Sequence, residues 1–145
     1  MLDRIDFLQA NQLRVTITQF DIPAHANLYS RLGIPERSDM IRKAVLFQAK
    51  PGLAAEYERR HNPIWPELEK ALKDHGAGNY SIYLHEATGQ LFGYVEIDNE
   101  ERFEKIAETE VCRRWWRYMT EVLVCESADS PKGKEEPLKE VFHLD

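Results

Sequence analysis

From residue 40 onward this chain predicts an α+β domain of the ferredoxin-like, split βαβ kind, a four-stranded antiparallel sheet with helices on one face. Three observations carry that expectation. Strand-like segments stand at 43–49, 79–85, 90–97 and 138–144. Helical spacing fills the gaps after the first and the third. Glu86-Ala-Thr-Gly89 joins the middle two as a hairpin turn. The order strand, helices, strand, strand, helices, strand defines the motif.

The elements follow in turn. Residues 1–39 hold one short alternation, Leu13 to Thr18, and then Pro23, Pro35 and scattered polar residues. They read as an N-terminal extension, weakly ordered or not native, with the domain proper at 40–145. Lys43–Ala49 is a strand closed by Lys50-Pro51-Gly52. Leu53–His61 is helical, with Glu56 and Arg60 spaced for an ion pair. A second helix begins at Pro63 or Pro66, buries Leu68, Ala71 and Leu72, and stops at Gly76. In 79–85, Tyr80, Ile82 and Leu84 share one face, Ser81 and Tyr83 the other. Asp98 or Asn99 caps a helix carrying Phe103, Ile106 and Ala107. Glu110–Val124 is a longer helix with Val111, Trp115, Met119 and Val122 in one stripe. A polar loop, 126–136, leads to a last strand at Leu138–Leu144. The strands are apolar on both faces, so the face without helices needs a cover. A two-fold dimer pairing sheet on sheet is the simplest one.

Composition narrows the function classes. A chain of 145 residues is one domain, and a net charge of −6 disfavours binding to a phosphate backbone. No run is long enough to span a membrane, and no secretory leader is visible. Cys112 and Cys125 form no CxxC and no zinc spacing, which suits reduced thiols in a cytoplasm. The histidines show no HxH or HExxH spacing, so no metal is expected. Glu100-Glu101 and Glu135-Glu136 read as solvated charges.

Two stretches stand out chemically. In Tyr57-Glu-Arg-Arg-His61-Asn-Pro63-Ile-Trp65-Pro66, Tyr57 and His61 are four apart and share a helix face. Pro63 disfavours helix at Asn62, which puts His61 at the lip of a break. Histidine titrates near neutral pH, so a rigidly held one beside aromatics suits proton transfer. Spacing alone leaves an ordinary surface or core-edge histidine as the alternative. The second stretch is Trp115-Trp116, whose side chains point about 100° apart on a helix. Trp115 falls on the core stripe, and Trp116 looks sideways to a pocket or interface.

These stretches bring a family into view. Residues 40–145 resemble the L-rhamnose mutarotases in Met40–Ala44, Glu56-Tyr57, Arg59–Leu68, His75–Ala77, Asn79-Tyr80, Ile82–Leu84, Arg114–Trp116, Tyr118-Met119 and Glu140–Phe142. The resemblance implies a cytoplasmic, cofactor-free isomerase that interconverts α- and β-L-rhamnose, built as a dimeric α/β barrel. By the same resemblance His61 is the proton donor, and Tyr57, Tyr80, Trp115 and Trp116 contact the sugar. Residues 1–39 have no counterpart in it. The donor role asks for an imidazolium near pH 7, and Tyr57 acting through a water is one option for the base. Two other readings stay open: a cofactor-independent monooxygenase of the same architecture, and a non-catalytic sugar-binding module.

Overall fold

The computed structural model describes residues 40–144, so the expectations for 1–39 lie outside the described residues. Four strands form one antiparallel sheet: β1 (Ile41–Gln48), β2 (Ala77–His85), β3 (Gln90–Ile97) and β4 (Glu136–Leu138). Their lateral order, β2-β3-β1-β4, brings the first and third strands together at the centre, as the split βαβ motif requires. Helices α1 (Ala54–His61) and α2 (Pro66–Asp74) connect β1 to β2. Helices α3 (Glu100–Glu104) and α4 (Glu110–Met119), with a 3-10 turn at Lys105–Glu108 between them, follow β3. Among the described residues no helix is long and apolar enough to cross a membrane.

The helix ends obey local chemistry. Pro66 opens α2, where the missing N–H costs nothing. Gly76 closes it at φ +81, and a Cβ there would come within 1.9 Å of the Asp98 carboxylate. Position 76 therefore needs glycine twice over, for the backbone angle and for the space. Asn99 and Thr109 cap α3 and α4 by accepting the backbone N–H of Arg102 and Cys112.

The core lies between the sheet and the helices. Leu91, Val95 and Ile97 of β3 face it, and Leu68, Trp115 and Met119 meet them from α2 and α4. The opposite face of the sheet carries Tyr83 and Phe92, side by side across β2 and β3, which are 66% and 40% exposed.

Two expectations are corrected here. The helix predicted to reach Val124 ends at Met119. Val122 and Leu123 are still buried, but in a turn whose Leu123 bridges back to Ala49, so apolar spacing outlasted the helix. The final strand is Glu136–Leu138 rather than Leu138–Leu144, and it pairs with Ala44–Leu46 of β1 in the same subunit. Beyond it the chain leaves the sheet. Glu140 is ion-paired to Arg42 at 2.8 Å, while Val141 and Phe142 are 90% and 79% exposed. The alternation of that tail mimicked a strand, but no strand among the described residues pairs with it.

Candidate active site

His61 is the last residue of α1, which stops there because Pro63 follows, across a cis Asn62–Pro63 bond. Its Nδ1 lies 3.0 Å from the Tyr57 carbonyl oxygen. A carbonyl can only accept, so Nδ1 carries a proton and Nε2 is the nitrogen left for exchange. Ring contacts fix the imidazole further. Tyr57 lies beside it with centroids 4.3 Å apart, and Trp115 meets it edge-on at 5.1 Å.

Trp115 belongs to a longer stack. Trp65 approaches it at 5.1 Å and stacks on Tyr118 at 5.4 Å. Such pairs contribute about 0.5–1.5 kcal/mol each beyond burial. Arg60 closes the stack, its guanidinium 3.9 Å from the Tyr118 ring centroid. It also donates to the Tyr118 carbonyl at 2.5 Å and pairs with Glu56 and Glu121 at 2.9 and 2.7 Å. The end of α1 is thereby tied to the end of α4, and His61 is held between them. Glu56 serves Arg59 as well as Arg60, and these two hydrogen bonds hold its carboxyl down at about 2.

The remaining sequence-predicted residues arrive from the sheet and from α4. β2 carries one extra residue between Gly78 and Ser81, where Asn79 takes φ +43. A bulge of this kind re-aims the next side chain, here Tyr80. Tyr57, His61, Tyr80, Trp115 and Trp116 all border one hollow of about 90 Å³. The same five also line a wider cleft of about 1650 Å³ between sheet and helices. Trp115 is buried and acts mainly as a wall behind His61, whereas Trp116 is half-buried with Lys132 5.2 Å above its ring.

Burial sets the protonation states. It pushes the Tyr57 hydroxyl well above the usual phenol range and, helped by the charge of Glu135, raises Tyr80 to about 12. Tyr80 keeps 43% of its surface open, so it is the hydroxyl end that lies deep. Both phenols are therefore donors near neutrality, which removes the option of Tyr57 as a base. Burial lowers His61 below its ordinary value, partly offset by the bond to the Tyr57 carbonyl. The donor role asks for the imidazolium, so this burial works against the form that the resemblance implies.

A pH prediction follows. The imidazole C–H resonances of His61 should titrate with a midpoint below about 6.5, the free-histidine value. Because the unfolded chain binds that proton first, His61's contribution to stability is complete above about pH 6.5 and declines as pH falls through the folded-state midpoint. A midpoint above 6.5 would show that the burial does not act as described.

Glu135, read from sequence as a solvated charge, is indeed exposed, yet it also borders the same hollow and is ion-paired to Lys132 at 3.1 Å. Its loop is anchored from inside. Lys134 N–H donates to the Val124 carbonyl at 2.9 Å, and a Cβ on Gly133 would come within 2.7 Å of Leu123. No periodicity marks a residue in such a loop; only the close-packed glycine two positions earlier hints at it.

Comparison with known proteins bears on this site. A family model for L-rhamnose mutarotase matches residues 42–144. The L-rhamnose mutarotases of Escherichia coli O157:H7 and Shigella dysenteriae serotype 1 are each 55% identical over 105 residues, covering 72% of this chain and 99% of theirs. The crystal structure of an L-rhamnose mutarotase from Formosa agariphila superposes with a TM-score of 0.63 at 30% identity, over 72% of this chain and 99% of that one. A Nitrosomonas europaea chain named after the antibiotic biosynthesis monooxygenases reaches a TM-score of 0.50 at 11% identity, over 72% of this chain and 92% of that one. That last likeness speaks for the sheet-and-helix scaffold alone. With nearly the full length of its relatives matched at more than half identity, the chain belongs to the L-rhamnose mutarotase family.

Proposed function

We propose that this protein is an isomerase interconverting the α and β anomers of L-rhamnose, with His61 as its proton donor. The observation that carries the reading is the convergence of His61, Tyr57, Tyr80, Trp115 and Trp116 on a single hollow. Ring opening must put a proton on the endocyclic oxygen as C1–O5 breaks, and must take one from the C1 hydroxyl. Nε2 of His61 is the exchangeable position, and in the reverse step the same nitrogen takes the proton back. The indole and phenol rings suit the C–H faces and the methyl group of a 6-deoxy sugar, while the phenol O–H groups donate to its hydroxyls. No hydride or electron leaves the sugar, so the reaction asks for no cofactor.

Saturation-transfer NMR on L-rhamnose is the direct test. Exchange between the anomeric signals well above the buffer rate supports the reading; buffer-level exchange with measurable sugar affinity would select a binding module instead. Oxygen uptake with an apolar substrate would select a monooxygenase, a reading that the His61 and Tyr80 lining of the hollow disfavours.

We further infer a cytoplasmic homodimer closed over the open sheet face, because Tyr83, Phe92 and Leu138 are exposed there and continue into the apolar tail. Sedimentation as a monomer at micromolar concentration would refute the dimer. Residues 40–145 are proposed as the functional domain, and 1–39 as an extension outside the family match; an intact mass from native cells decides whether the extension is present there.

A further inference from the structure

Resting on the mutarotase reading, the geometry points to Glu135 as the second proton-transfer group, the base that takes the C1 hydroxyl proton while His61 serves the ring oxygen. Mutarotation needs an acid and a base at once, and the five residues discussed above supply no base besides His61 itself. Glu135 is the sole carboxylate bordering the inner hollow among the described residues. Its charge acts on Tyr80, which lines the same hollow, and on Cys112 in the wider cleft, adding to burial in raising them to about 12 and about 11. The carboxylate shares the lining of that hollow with Tyr80 and His61.

The position is built rather than incidental. Lys132 pairs with Glu135 at 3.1 Å and lies 5.2 Å above the ring of Trp116, so the pair rests on a wall of the site. Buried Gly133 against Leu123, and the Lys134 N–H on the Val124 carbonyl, hold the intervening backbone to the core. A loop that only carried solvated charge would need neither anchor.

The proton balance closes. With imidazolium at His61 and carboxylate at Glu135, Nε2–H goes to the endocyclic oxygen, which keeps the C1–O5 electron pair as that bond breaks. The O1–H proton goes to Glu135, and the electron pair it leaves forms the C1=O1 double bond. The open-chain sugar is then bound between neutral imidazole and carboxylic acid. Rotation about C1–C2 presents the other carbonyl face, and reclosure returns both protons to their starting groups. No oxidant, reductant or solvent proton is consumed, and the pair is reset after every turnover. Burial of His61, which disfavours the imidazolium, makes the swapped state accessible.

The test uses the full chain with Glu135→Gln and Glu135→Ala, each read by saturation transfer on L-rhamnose. Because the residue sits at a solvent-facing loop, folding is checked by the thermal midpoint. The expected result is a kcat lower by about 10²-fold or more with KM within a factor of about three, the signature of losing one positioned acid-base group. Added formate should restore part of the exchange in Glu135→Ala, which a structural role would not permit. A kcat within a factor of about two of wild type, a loss confined to KM, or no formate rescue would overturn the assignment. Wild-type exchange at the buffer rate would instead remove the mutarotase reading itself, so the two failures are distinguishable.

Discussion

Replacing His61 by alanine should cut enzyme-catalysed anomer exchange by about 10²–10⁴-fold, the usual contribution of one positioned acid-base group, while L-rhamnose still binds. The two effects separate on the proposed binding mode, in which the sugar's distal groups rest on Trp116 and the tyrosines and not on the imidazole. The variant loses one hydrogen bond to the Tyr57 carbonyl and two ring contacts, with Tyr57 and Trp115. Those losses amount to about 1–3 kcal/mol of stability, less than a domain of this size has to spare. The Arg60 latch still ties α1 to α4, so the hollow keeps its shape. Anomer exchange and sugar titration by NMR on the same sample read both quantities. Exchange unchanged in His61→Ala would take the imidazole out of the chemistry, and loss of binding would make it a recognition residue instead.

How much of this was legible in the sequence depends on range. Strand β3 and the second helix were visible because local signals coincide there: alternation in 90–97, and a proline start with a glycine stop in Pro66–Gly76. The lip position of His61 was equally local, set by Pro63. Two failures share one cause. Val122 and Leu123, and later Val141 and Leu144, continue an apolar rhythm that tertiary context does not honour. In the first case a turn delivers them to the core, and in the second the chain leaves the sheet. The place of exposed Glu135 at the hollow was not legible for another reason: it comes from Gly133 packing on Leu123, a contact that no spacing rule encodes. The protonation state of His61 was illegible for the same reason, because burial is a property of the fold and not of the neighbours in sequence.

The adjacent tryptophans should split into a stability residue and a binding residue. Trp115 is 7% exposed and contacts His61, Trp65 and Tyr118, so Trp115→Ala removes a large buried ring and leaves a cavity. The expected cost is about 3–5 kcal/mol in urea unfolding, much of the stability of a domain of this size. His61 loses its edge contact in that variant as well, so activity falls together with the folded fraction. Trp116, about 100° round the helix, is half-buried: it packs against the edge of the core and has Lys132 over its ring. Trp116→Ala should cost less than Trp115→Ala, about 1–2 kcal/mol, because only part of its ring packs on the core. Its effect should appear instead as a higher KM for L-rhamnose, about tenfold for a stacking surface of that size. Because the residues are neighbours on one helix with equal propensity, helix formation cancels in the comparison. Trp116→Ala proving the more destabilising of the two would reverse the assignment of wall and sugar platform, and with it the orientation of the bound sugar relative to His61.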